Sequence, residues 1–266
     1  MFIGASETFG EPTQANKDYP AQVRESLRRK GCYEVLNTAF PGFDVRALMR
    51  YYEYYMSQLK PDVVFVYPPT HFYLGEVGPR NTTPPQRAPT YPNSSPGILE
   101  RSRFLERLRD TAEMPAFIQK KRVRQWIEDA QRGKSADWAF RTIPQDRLDL
   151  FTNDLRDFIA LIRASGAEPV LLTHAVRVAS PPREEDLNDL YAMRVYVPRA
   201  TEATLAGFEY AAAERTREVA AATNVPLVDV AQQLSGRREL FIDLVHFTNE
   251  GHAKVAQLIL QQMQSR

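Results

Sequence analysis

Five short apolar runs, separated by stretches of helical period, constrain this chain more than any other feature. The runs are Met1 to Gly4, Tyr33 to Asn37 (YEVLN), Asp62 to Tyr67 (DVVFVY), Pro169 to His174 (PVLLTH) and Val225 to Val230 (VPLVDV). They are continuous rather than alternating, the pattern of strands buried on both faces of a parallel sheet. The helical stretches cover roughly Tyr19 to Lys30, Val45 to Leu59, Asp146 to Ala164, Thr201 to Ala222 and Glu250 to Gln264. In the third, Phe151, Leu155, Phe158, Ile159 and Ile162 recur at helical spacing and form one sheet-facing stripe. Strands alternating with helices predict a single doubly wound, three-layer α/β/α domain over residues 1–266 with a mostly parallel five-stranded sheet.

Two stretches break this flavodoxin-like rhythm. Pro68 to Ser95, with PP at two places and the run PTYPNSSPG, reads as loop, and Ile98 to Gly133 reads as two charged helices. Together they make residues 68–143 an insertion after the third strand, longer than a simple crossover needs and a candidate lid. Ala179 to Pro198 is a second irregular stretch, near the same sheet edge.

The balance of 34 basic against 33 acidic residues leaves a net charge of +1, which gives no footprint for nucleic acid or an anionic membrane surface. The single cysteine, Cys32, excludes an internal disulfide and is expected to sit passively in the fold. No run of about 18 apolar residues occurs, so no membrane span is expected in the chain as given. The first strand is short for a central one, which suggests a natural protein that continues upstream and lies outside the cytoplasm if that part is a leader or anchor. Oligomeric state is not legible.

In an open α/β sheet, ligands bind beyond the carboxyl ends of the strands. The strand ends here carry Gly4-Ala5-Ser6, then NTAFPGFD with Asn37 and Gly42, then YPPTHFY with Thr70 and His71, then Thr173-His174; FIDLVHFTNEGH, with Asp243 and His246, follows the fifth strand. A carboxylate three residues before a histidine, in a turn, can accept from one ring nitrogen and leave the other free for catalysis. Thr248 is placed to cap the following helix, with Glu250 in its first turn. Taken alone, Ser6 reads as a helix cap before a nucleophile, and His174 as a satisfied structural histidine before a pocket residue. His252 is expected to be exposed.

The layout resembles the SGNH hydrolases, also called GDSL-like esterases. GASETFG matches their first block at Gly4, Ser6 and Gly10; NTAFPGFDV matches the second at Asn37 and Gly42; DLVHFTNEGH matches the last. Thr8 stands at the second glycine position of an α/β-hydrolase elbow, which favours the SGNH layout. The resemblance implies Ser6 as nucleophile, His246 as general base, Asp243 as the group orienting it, and the backbone N–H groups of Ser6 and Gly42 in an oxyanion hole. It implies a carboxylic-ester hydrolase working through an acyl-enzyme without metal or organic cofactor. A short-acyl ester, such as an O-acetyl group on a carbohydrate, is the expected substrate.

Two departures stand out. Ala5 replaces the family aspartate, and YPPTHFY replaces the Gly-x-Asn-Asp block whose asparagine donates to the oxyanion, leaving Thr70 or His71 in that place. The alternatives are therefore a catalytically impaired binding protein of the same fold, or an acyltransferase using the same triad. A metal set of Asp243, His246, Glu250 and His252 would leave the Ser6 block without a role. Tyr67, Tyr73, Trp126 and Trp138 are candidates for sugar stacking, against core packing.

Overall fold

In the computed structural model, residues 1–29, 31, 33–75, 116–135 and 137–264 are described. Cys32 lies outside them, as do most of the expected loop and the first part of the expected charged helices. Four parallel strands form the sheet in the order β1 (Phe2–Ile3), β2 (Val63–Val66), β3 (Glu168–Leu172) and β4 (Leu227–Val228). Their register pairs Phe2 with Phe65, Phe65 with Val170, and Leu171 with Leu227.

The second of the five expected strands, Tyr33 to Asn37, is reduced to a single bridge between Phe2 and Asn37 on the free edge of β1. Phe2 donates to Leu36 O at 2.8 Å and accepts from Thr38 N at 2.9 Å. The pairing stops there for a local reason. Asn37 Oδ1 accepts from Ala39 N at 3.1 Å, an Asx turn that bends the chain, and its amide donates to Thr8 O at 3.0 Å. Because this segment lies on one side of β1 and β2 on the other, the chain switches direction at β1, the place where open α/β sheets bind ligands.

The helices are α1 (Ser6–Phe9), α2 (Tyr19–Arg28), α3 (Val45–Tyr51), α4 (Ala116–Gln131), α5 (Gln145–Ala164), α6 (Leu187–Met193), α7 (Glu202–Thr223), α8 (Val230–Leu234) and α9 (Asn249–Gln264). The expected helix over Val45 to Leu59 continues past α3 as a π turn, Tyr52–Met56, and a 3₁₀ turn, Ser57–Leu59. Asp18, Asp44 and Thr201 cap α2, α3 and α7 by accepting from the N–H three residues on.

Alternate strand residues feed two cores. Ile3, Val64, Val66 and Leu171 pack with α3, α5 and α7; Phe2, Phe65, Val170, Leu172 and Val228 pack with α2 and α9. On α5 the predicted stripe is buried, each of its five residues at 2% exposure or less. At about 1.5–3 kcal/mol per large apolar side chain, that stripe is the main reason α5 stays on the sheet. Arg46 Nε on α3 meets Asp154 Oδ2 on α5 at 2.7 Å, and Tyr73 Oη donates to the same oxygen at 2.9 Å. No described helix is long and apolar enough to cross a membrane.

Tyr67 and Tyr73 are each 1% exposed. Both belong to the core: Tyr67 Oη accepts from Ala175 N at 2.9 Å, and Tyr73 holds Asp154. Trp126 is exposed, and Trp138 sits beneath the Arg199 guanidinium, 6.0 Å from its ring centroid.

Candidate active site

Ser6 opens α1 directly after β1, so its N–H belongs to the first helical turn, where no intrahelical acceptor exists. The short helix closes at Gly10, whose φ of 95° is left-handed, with Gly10 N donating to Ser6 O. A side chain at Gly10 would also put its Cβ 2.4 Å from Asp18 Cβ. Glycine here is a backbone requirement.

The second strand end contributes a turn closed by Phe43 N and Phe40 O at 3.3 Å. Pro41 and Gly42 are its central residues, and the Gly42 φ of 79° is what a type II turn demands at its third position. Nothing lies within 4 Å of where a Gly42 Cβ would be, so this backbone faces open space.

The last block forms a stapled turn. Ile242 N donates to His246 O at 2.8 Å, Thr248 N to Leu240 O at 2.9 Å, and Arg177 N to Leu244 O at 2.9 Å. Inside it, Asp243 Oδ1 accepts from Val245 N and His246 N at 3.0 and 2.9 Å. Asp243 Oδ2 is 2.7 Å from His246 Nδ1, and His246 Nε2 is 2.9 Å from Ser6 Oγ. Ser6 and two residues from near the far end of the chain thus form one hydrogen-bonded line.

Charge follows geometry. Burial alone would lower the His246 pKa, but the hydrogen bond and charge of Asp243 outweigh it and hold it above the ordinary imidazole value. Burial alone would raise the Asp243 pKa, and the bonds from His246 and the backbone keep it below the usual carboxylate range. A base poised between a carboxylate and a hydroxyl can take the serine proton.

No protein-family sequence model matches the chain, and no curated protein is similar to it in sequence. Solved structures do match. A mutant of Axe2, an acetyl-xylooligosaccharide esterase from Geobacillus stearothermophilus, aligns at TM-score 0.55 and 16% identity over 98% of this chain and 91% of that one. A G-D-S-L-family lipolytic protein from Veillonella parvula aligns at 0.53 and 12% over 98% and 94%. The lipase/acylhydrolase from Enterococcus faecalis aligns at 0.53 and 16% over 100% and 95%. The chain has the SGNH-hydrolase fold.

Within this SGNH fold, the third strand end differs most from the family pattern. Thr70 is fully buried, and its hydroxyl donates to Glu209 on α7. Its proton is committed away from the crevice. His71 begins a 3₁₀ turn, His71–Leu74, at 5% exposure, with Nδ1 enclosed and lacking a hydrogen-bond partner. Burial lowers its pKa further than Glu209 and Glu7 raise it, which favours the neutral ring.

Around these two residues lies a cluster that sequence reasoning missed. His174, 1% exposed, has Nδ1 2.8 Å from Glu209 Oε2 and Nε2 3.4 Å from Glu7 Oε1. Burial would depress the His174 pKa, but Glu209 and then Glu7 push it up to about 10. Burial would raise the Glu7 pKa, but the hydrogen bond and charge of His174 take it down to about 2. A signal was present: Glu209 falls on the inward face of α7 with Leu205, Ala212 and Thr216, where a helix buries apolar residues.

His252 is buried at 0% exposure rather than exposed, because α9 packs its first turn against α2. Its Nδ1 accepts from Tyr19 N at 3.2 Å, and burial drives its pKa down to about 3. The metal set considered from sequence is therefore not assembled: Glu250 is exposed, and both histidines are otherwise engaged.

Proposed function

We propose that this protein is a serine hydrolase that cleaves carboxylic esters through an acyl-enzyme. The observation that carries the reading is the line from Asp243 Oδ2 through His246 to Ser6 Oγ, at 2.7 and 2.9 Å. Ser6 Oγ attacks the ester carbonyl carbon while His246 Nε2 takes its proton. The tetrahedral intermediate collapses, the C–O bond to the alcohol breaks, and His246 returns the proton to the leaving oxygen. Water then repeats the sequence, with His246 as base, and frees the acid. Asp243 stays ionised throughout and holds the tautomer with its proton on Nδ1.

The oxyanion is met by the N–H groups of Ser6 and Gly42, with His71 as the side-chain donor in place of the missing asparagine. His71 is preferred to Thr70 because the Thr70 proton already goes to Glu209. Each such donor is worth roughly 10²- to 10³-fold in rate. The substrate class we favour is a short-acyl ester such as an O-acetylated carbohydrate; similarity to an acetyl-xylooligosaccharide esterase supports it. Hydrolysis of p-nitrophenyl acetate and of acetylated xylooligosaccharides by wild type, Ser6→Ala and His246→Ala tests the reading. Turnover by wild type and its loss in both variants is expected; turnover unchanged in both variants, or none in wild type, overturns it.

A further inference from the structure

We infer that the protein binds a divalent transition-metal ion of the zinc class, held by Glu7, His71 and His174 with Glu209 behind His174. One ligand atom from each of the first three lies within 4.8 Å of the others, and all three residues are buried. They come from three strand ends: Glu7 follows β1, His71 follows β2 and His174 follows β3. His174 Nε2 and Glu7 Oε1 are 3.4 Å apart, close to the roughly 3.3 Å between two ligands on a tetrahedral zinc with bonds of about 2.0–2.1 Å.

The surroundings of His174 fit the same assignment. Its Nδ1 is 2.8 Å from Glu209 Oε2, and Glu209 also accepts from Thr70. A carboxylate that receives the far N–H of an imidazole is the usual partner of a metal-ligating histidine, because it fixes which nitrogen faces the ion.

Incomplete hydrogen bonding points the same way. Glu7 Oε2, Glu209 Oε1 and His71 Nδ1 are buried without a hydrogen bond, the last two facing each other at 3.9 Å, and each residue is 5% exposed or less. Two carboxylates, two neutral imidazoles and one divalent cation balance in charge. Imidazole and carboxylate donors suit zinc, with manganese, cobalt and nickel as competitors. A cavity of about 220 Å³ is lined in part by His174 and Glu209.

Binding would pin the turn that carries Ser6, because Glu7 is its neighbour. A metal on His71 Nδ1 leaves that ring's proton on Nε2, the tautomer an oxyanion donor needs; this consequence rests on the proposed hydrolase, while the binding itself does not.

The test is chelator treatment of purified full-length protein, reloading with ZnCl₂, MnCl₂, CoCl₂ or NiCl₂, removal of free ion, and metal analysis alongside a thermal melt. One equivalent retained by wild type and by Ser6→Ala is expected, with Tm rising with ion concentration. Retention by the activity-dead Ser6→Ala separates this claim from the hydrolase reading. Glu7→Gln and His174→Gln should lose the ion, and Glu209→Gln should bind 10- to 100-fold more weakly. Circular dichroism identifies any variant that fails to fold, and the remaining variants then carry the comparison. Wild type that retains none of the four ions with Tm unmoved overturns the inference, as does stoichiometric binding undiminished in the folded variants.

Discussion

At the scale of single residues, the proposed mechanism turns on His246. It must be neutral to accept the Ser6 proton, and Asp243 raises its pKa. The acid limb of kcat/KM should therefore have its midpoint above the ordinary imidazole value of about 6.5. In Asp243→Asn the raising charge is gone while burial remains, so the midpoint should move to lower pH and kcat should fall roughly 10⁴-fold, the cost of a misdirected tautomer. A pH profile of both proteins checks it; an unmoved midpoint would contradict the assignment of Asp243. His71→Ala should cost about 10²- to 10³-fold in kcat with KM changed much less, while Thr70→Val should act on stability more than on turnover. Steady-state kinetics of the pair distinguishes them. Sequence alone pointed to Ser6, Asp243 and His246 as candidates because the spacing of the last two is local, and the structure brings the three within hydrogen-bond reach. It did not show Glu7, His174 and Glu209 as a unit, since they are far apart in the chain and meet only where three strand ends and α7 converge.

Among the elements, the two glycine turns do different work. Gly10→Ala adds left-handed strain and drives a Cβ to 2.4 Å from Asp18, the cap of α2. A loss of about 1–3 kcal/mol is expected, read as a lower Tm. Gly42→Ala adds strain in a turn with open space around it, so its stability loss should be smaller and its kcat loss larger. Equal effects on both measurements would contradict the assignment of Gly42 to the oxyanion hole. The helices α5, α7 and α9 were legible because each carries an apolar stripe at helical spacing. The strand expected over Tyr33 to Asn37 was not reducible to a bridge from sequence, because its hydrophobic pattern is that of a strand and what ends it is the Asn37 side chain bonding to Ala39 N and Thr8 O. His252 was misjudged for a similar reason: a polar residue after a glycine looks solvent-facing until α2 is packed over it.

For the whole molecule, the sheet switch at β1 explains why residues from both ends of the chain meet. Ser6 leaves β1, and the stapled turn before α9 returns beside it, so the site depends on the α2 and α9 layer as well as on the sheet. The opposite layer is tied by Arg46, Asp154 and Tyr73. Asp154→Ala would leave the Arg46 charge without its buried partner, at a cost of about 3–5 kcal/mol. Chemical denaturation should show that loss with the Ser6–His246 geometry, and hence kcat of the folded fraction, little changed. The three-layer architecture was legible from the alternation of apolar runs and helical stripes, whereas a buried polar cluster between α7 and the sheet has no periodicity to announce it.

The most direct measurement is reaction of the folded protein with a fluorophosphonate, followed by mass mapping of the adduct. A Ser6 activated by His246 should carry the phosphonyl group in wild type and react far more slowly in His246→Ala; an adduct on another serine, or none on Ser6, would contradict the central claim.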